Sequence, residues 1–108
     1  MKAMISMPMG GKTKEEIDAV FERAKAIIEK RGYEVVDTWF HFDHEQLKEA
    51  GVKNIPLMYL AKSLEAMSKV DMVFFLDGWK DARGCCIEHE AVVDYQIHYI
   101  QMVIADED

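Results

Sequence analysis

The run Met72-Val73-Phe74-Phe75-Leu76 is apolar without alternation and is bounded by Asp71 on one side and Asp77-Gly78 on the other. A strand apolar on both faces needs cover on both faces, the condition met by a parallel sheet held between helix layers. An antiparallel sheet with one wetted side would show a polar residue at every second position, and none occurs here. This run alone sets the expected fold class as α/β, with helices above and below a parallel sheet.

The remaining segments supply the other parts. Lys2 to Ser6 reads as a second short apolar strand, broken by Met7-Pro8-Met9-Gly10-Gly11-Lys12, where glycines and a proline mark a loop. Thr13-Lys14-Glu15-Glu16 has the form of a capping box. Behind it Ile17, Val20, Phe21, Ala24, Ile27 and Ile28 recur at spacings of three and four, and Lys30, Arg31 and Gly32 suit the end of that helix. Tyr33 to Phe40, rich in valine and aromatics, is expected as a strand. Asp43-His44-Glu45-Gln46 caps a short helical stretch that Gly51 ends, and Pro56 opens a further helix striped by Leu57, Leu60, Leu64 and Met67. After Leu76, a loop over 77–84 leads to a helix over 85–95, with Ile87, Ala91, Val92 and Tyr95 expected to face inward. Ile97 to Ile104 supplies a last strand, and Ala105-Asp106-Glu107-Asp108 a solvated acidic tail. The order is that of one domain over 1–108, a small three-layer, flavodoxin/Rossmann-like parallel sandwich.

With 13 basic and 20 acidic residues the chain carries a net charge of −7. That balance argues against a nucleic-acid polymer or an anionic membrane as main partner, so any phosphate would need a local site. No signal-peptide core is visible, and no apolar run approaches the ~20 residues of a membrane span. Cys85 and Cys86 are adjacent, so no disulfide framework is possible and a reducing cytoplasm is the expected location.

In parallel sheets ligands sit at the carboxyl ends of the strands, where strand order reverses. That directs attention to the loops at 7–13, 38–54 and after Leu76. Ser6-Met7-Pro8-Met9-Gly10-Gly11-Lys12-Thr13 is one residue short of a phosphate-binding loop, with Ser6 in place of the first glycine. A chain this short is small for a complete nucleotide hydrolase of that class. Gly10, Gly11, Lys12 and the amides around Thr13 form either an anion site at a helix start or an ordinary glycine turn.

The stretch Asp77-Gly78-Trp79-Lys80-Asp81-Ala82-Arg83-Gly84, followed by Cys85-Cys86-Ile87-Glu88-His89-Glu90, is the densest chemistry in the chain. Glu88 is expected in the first helical turn, ionised by the dipole and sharing a face with Ala91 and Val92, while Glu90 points away. A partly desolvated carboxylate at a pocket edge is what attack on an anomeric carbon requires; dipole compensation is the plainer reading. For the cysteines, a thiol activated at a helix start stands against small residues merely packed there. His41-x-x-His44 lacks a third ligand, so no metal is expected, and no cofactor is called for. His89 is expected on the solvated or oligomer side. Trp79 and the Trp39/Phe40/Phe42 cluster serve either to stack on a base or to cover the sheet edge.

Two stretches carry a resemblance. Ile5 to Thr13 follows I-S-x-P-M-x-G-K-T, and Gly78 to Glu90 follows G-W-x-x-A-R-G-C-x-I-E-H-E. The chain thereby resembles the nucleoside 2-deoxyribosyltransferase family and its relative, the 2′-deoxynucleoside 5′-phosphate N-hydrolase. More closely than the characterised enzymes, it resembles a small phage and bacterial branch of deoxyribosyltransferase-like proteins. The resemblance implies that Glu88, four residues after Gly84, attacks C1′ of the sugar and displaces the base. Water or a second base then resolves the glycosyl-enzyme. It further implies that Gly10, Gly11, Lys12 and Arg83 hold a 5′-phosphate, and that Ser6, Met7, Trp79 and Gly84 line the substrate. The family's aspartate eight residues before the one opening the third main strand is Ser63 here, counted from Asp71, with Asp77 and Asp81 as candidate substitutes. The implied function is a nucleoside or nucleotide N-glycosidase or deoxyribosyltransferase acting as a homo-oligomer. The alternative, favoured by Ser63, is a non-catalytic nucleotide-binding or sequestering module.

Overall fold

A computed structural model describes residues 1–104, so the expected acidic tail lies outside the described residues. The elements are β1 (Lys2–Ser6), α1 (Lys14–Lys30), β2 (Glu34–Val35), α2 (His44–Glu49), α3 (Ile55–Met67), β3 (Met72–Leu76), a 3-10 turn (Trp79–Asp81), α4 (Arg83–Asp94) and β4 (Tyr99–Met102). The sheet order is β2-β1-β3-β4, parallel throughout. Ala3 lies opposite Met72 and Ser6 opposite Phe75, while Val73 lies opposite Tyr99. The chain runs outward from β1 to β2, then crosses back over β1 to reach β3. Strand order therefore reverses between β1 and β3, the switch point of a flavodoxin-like sheet.

Right-handed crossovers place α1 on one face and α3 with α4 on the other. Two cores result. On the first face Ala3, Ile5, Met7, Phe74 and Leu76 pack against Ile17, Phe21, Ala24 and Ile28 of α1. On the second, Met4, Val73 and Phe75 meet Met67, Trp79, Cys85 and Val92. Side chains of β3 alternate between the two cores, which is why no polar position interrupts the run. The helical start at Thr13 also follows the sequence: its hydroxyl accepts from the Glu16 amide at 3.1 Å, and the Glu16 carboxylate accepts from the Thr13 amide at 3.2 Å.

Four expectations need correction. The second strand is two residues long instead of spanning 33–40. Beyond Val36 the chain bends: Asp37 accepts from the Trp39 amide at 2.9 Å, and the Trp39 indole donates to Asp18 on α1. The buried Thr38 hydroxyl donates to the Ile5 carbonyl at 3.3 Å, a side-chain bond where the ladder has ended. Second, α4 begins at Arg83, two residues before the expected start, behind an Ala82 cap with no side-chain hydrogen bond. Third, the inward positions of α4 are Cys85, Glu88 and Val92, while Ile87 is 43% and Tyr95 81% exposed. Fourth, the last strand covers only Tyr99–Met102. Gln96 turns left-handed at φ 57°, and the Ile97 amide closes back on the Val92 carbonyl. Among the described residues no helix is long and apolar enough to cross a membrane.

Candidate functional site

The carboxyl end of β1 delivers Ser6 to the switch point, on the face covered by α3 and α4. There its hydroxyl donates to Glu88 Oε1 at 3.0 Å, joining residues 82 positions apart in the sequence. Both residues are buried, Ser6 at 2% and Glu88 at 7% exposure. Because α4 starts at Arg83, Glu88 sits in its second turn, past the reach of the helix-end charge. Burial then dominates over dipole: the Glu88 carboxyl is pushed up from 4.5 to about 7, with the Ser6 hydrogen bond pulling weakly the other way. The expectation of a dipole-ionised carboxylate is thus reversed in sign. Among the described residues Ser6 is the hydrogen-bond partner of the Glu88 carboxyl, on Oε1, and no fully buried side-chain oxygen there lacks a partner. Oε2 is accordingly the oxygen that retains contact with solvent.

Cys85 belongs to the same cluster. Burial pushes its thiol up to about 11, opposed by a Ser6 hydrogen bond and reinforced by Glu88; the Lys12 ammonium lowers it slightly. An activated thiol at a helix start is therefore not what this cysteine provides. Cys86 points outward and donates to the Lys80 carbonyl at 3.2 Å, tying the 3-10 turn to α4. Cys85 thus packs within the second core, while Cys86 links α4 to the 3-10 turn.

Two open clefts flank the switch point. One, of about 350 Å³, lies on the α1 side and is lined by Met7, Pro8, Lys12, Val20, Arg23, Asp77 and Ile104, among others. The other, about 260 Å³, is lined by Asp77, Gly78, Trp79, Lys80, Asp81 and Gln101, together with Phe75, Met102 and Val103. Asp77 lies on the ridge between them. Lys12 and Met7 reach the first cleft, and Trp79 and Asp81 the second. Neither cleft is lined by Ser6, Glu88, Ser63, Arg83, Gly10, Gly11 or Gly84. Ser63 is half-buried on α3, and Arg83 is exposed at the first position of α4.

The two crevice loops lie close together at Gly78 and Pro8. Gly78 holds φ +89°, and a Cβ built there would meet Pro8 Cγ at 3.3 Å. Gly11 likewise holds φ +75° in the turn before α1. The capping box already takes the Thr13 and Glu16 amides, donors that an anion at this helix start would use, and Glu15 and Glu16 add negative charge there. Lys12 is left as the cation of this loop, without the amide cradle that a phosphate-binding loop supplies.

His89, expected on a solvated side, is half-buried and stacked on Trp79 at 4.2 Å and 15°, with Phe75 and Tyr99 edge-on to it. Trp79 thus covers the sheet instead of offering a free face. The Trp39/Phe40/Phe42 group is also satisfied internally: Phe40 stacks on Phe42, Phe42 meets Tyr59, and Trp39 meets His41. His44 bonds the Tyr59 hydroxyl at 3.0 Å. Among the described residues no group of three or more His, Cys, Asp or Glu is placed to hold a metal. Sequence reasoning missed the pairing of Ser6 with Glu88. The spacing Cys85, Glu88, Val92 was the available signal, since a glutamate inside an inward helical stripe marks a buried carboxyl.

Residues 1–101 match the family model described as Domain of unknown function (DUF4406), and the chain belongs to that family. No curated protein and no solved structure matches it.

Proposed function

We propose that this chain is an N-glycosidase or deoxyribosyltransferase that cleaves the base–sugar bond of a nucleoside or nucleotide through the Glu88 carboxylate. The observation that carries the reading is the Ser6–Glu88 pair at the β1/β3 switch point. One carboxylate oxygen is held by a hydroxyl and the other meets solvent, at the place where parallel sheets bind ligands. In the step, Glu88 Oε2 forms a bond to C1′ while the C1′–N bond breaks, and its electron pair leaves on the base nitrogen. The departing base takes a proton from water in the open crevice, whose rim carries the Asp77 and Asp81 carboxylates as hydrogen-bond acceptors that orient that water. Water then attacks C1′ and restores the carboxylate. Lys12 supplies a cation for an anionic substituent of the sugar.

Attack requires ionised Glu88, so the rate should rise with pH and level off above about 7. The test is to incubate the protein with (deoxy)nucleosides and their 5′-monophosphates and follow free base by chromatography. Glu88→Ala and Glu88→Gln serve as controls, with at least about a hundredfold loss expected. A second reading, a module that binds nucleotides without turnover, is favoured by the depth of Glu88 and by Ser63 on α3. Saturable binding without base release selects it. If no compound on the panel is bound or cleaved, neither reading stands.

A further inference from the structure

The two edges of the sheet are built differently. At one, β2 is two residues long and carries the exposed Glu34, and the chain then bends away into Trp39. A short, charged edge of this kind resists pairing. At the other, β4 carries no charged residue and no proline, and the uncharged run continues from Ile97 to Ile104 in a chain of net charge −7. Tyr99, Ile100 and Val103 remain 40–43% exposed on it.

The hydrogen bonds fix which backbone groups are unspent. The Val73 amide donates to the His98 carbonyl at 3.0 Å, and the Asp77 amide to the Met102 carbonyl at 3.2 Å. His98, Ile100 and Met102 therefore face β3, and the alternate residues Tyr99, Gln101 and Val103 turn both N–H and C=O outward.

We propose that the β4 edge is the self-association surface of this protein, pairing antiparallel with β4 of a second copy about a twofold axis at Gln101. In that register Gln101 exchanges both bonds with its counterpart, and Tyr99 does so with the partner's Val103. The pattern is self-complementary, as an isologous interface requires. The neutral strand is also a place where two anionic chains meet without direct repulsion. The second copy would wall the cleft formed by Trp79, Lys80, Asp81 and Gln101, which is open in one chain.

Sedimentation equilibrium over micromolar to hundred-micromolar protein tests this, with a species of twice the 12.5 kDa chain expected. Gln101→Pro removes only an outward N–H, an edge position where proline is tolerated. Gln101→Lys leaves the backbone intact and sets two like charges on the axis. Each should raise the dimer dissociation constant at least about tenfold with an unchanged circular dichroism spectrum. Should Gln101→Pro unfold, Gln101→Lys decides. The amides of Tyr99, Gln101 and Val103 should also exchange more slowly as protein concentration rises. A wild-type monomer throughout that range overturns the proposal. So does a dimer that persists in a folded Gln101→Lys variant, since the interface must then lie elsewhere.

Discussion

The two faces of the sheet are covered by helices of opposite quality. On α1 the inward residues Ile17, Phe21, Ala24 and Ile28 are all apolar and all buried, while acidic and basic residues occupy the other side and the two ends. On the opposite face α3 is the more apolar helix in composition, yet only Met67 is buried and Leu57 is 58% exposed. Its neighbour α4 buries Cys85, Glu88 and Val92, so a carboxyl stands where the first face has a phenyl ring. Amphipathic contrast, more than apolar content, decides how well a helix seals a sheet. The face sealed less completely is the one that holds ionisable chemistry.

The largest expected contrast comes from the sealed face. Phe21→Ala should cost about 3–5 kcal/mol in urea unfolding, the usual penalty for emptying a buried aromatic position. A loss below about 1 kcal/mol would show that α1 is not the dominant cover.

Glu88→Gln sharpens the comparison on the other face. A carboxyl raised from 4.5 to about 7 in the folded state contributes stability that is fully present below pH 4.5 and lost as pH rises through 7. The amide does not titrate, so the difference between the two stability–pH curves should change by about 3 kcal/mol across that window. Thermal melts at pH 5 and pH 8 read it: the variant gains on the wild type only at the higher pH. Parallel curves would mean that Glu88 is solvated in the folded protein.

The smallest effect is expected at Leu57→Ala on α3, within about 0.5 kcal/mol because more than half of the side chain is already in water. A cost comparable to that at Phe21 would reveal cover on α3 that one chain alone lacks.

How much of this was legible in the residues differs by element. Met72–Leu76, the Thr13–Glu16 box and the α1 stripe are local signals, and each appears where its chemistry demands. The stretch from Val36 to Phe40 has the composition of a strand, but the bonds made by Asp37, Thr38 and Trp39, two of them to distant elements, override propensity. The start of α4 was displaced because Ala82 offers no capping side chain to read. That two-residue error moved Glu88 into the first turn and hence gave its carboxyl the wrong electrostatic surroundings. The Ser6–Glu88 bond joins side chains that only the crossover connections bring together, and the Trp79–His89 stack depends on how the 3-10 turn folds against α4. In the candidate site, the loops could be named from topology and the inward face of Glu88 from its helical spacing; its bond to Ser6 and its exclusion from both clefts could not.

The space beside Gly78 that a side chain would enter is bounded by the Pro8 ring, so the two crevice loops lie close together at this point. Any larger residue at 78 must find both a new backbone conformation and room that Pro8 occupies. Efforts to reshape this crevice should treat positions 8 and 78 as a single variable, chosen jointly, with libraries that randomise one alone sampling mostly misfits.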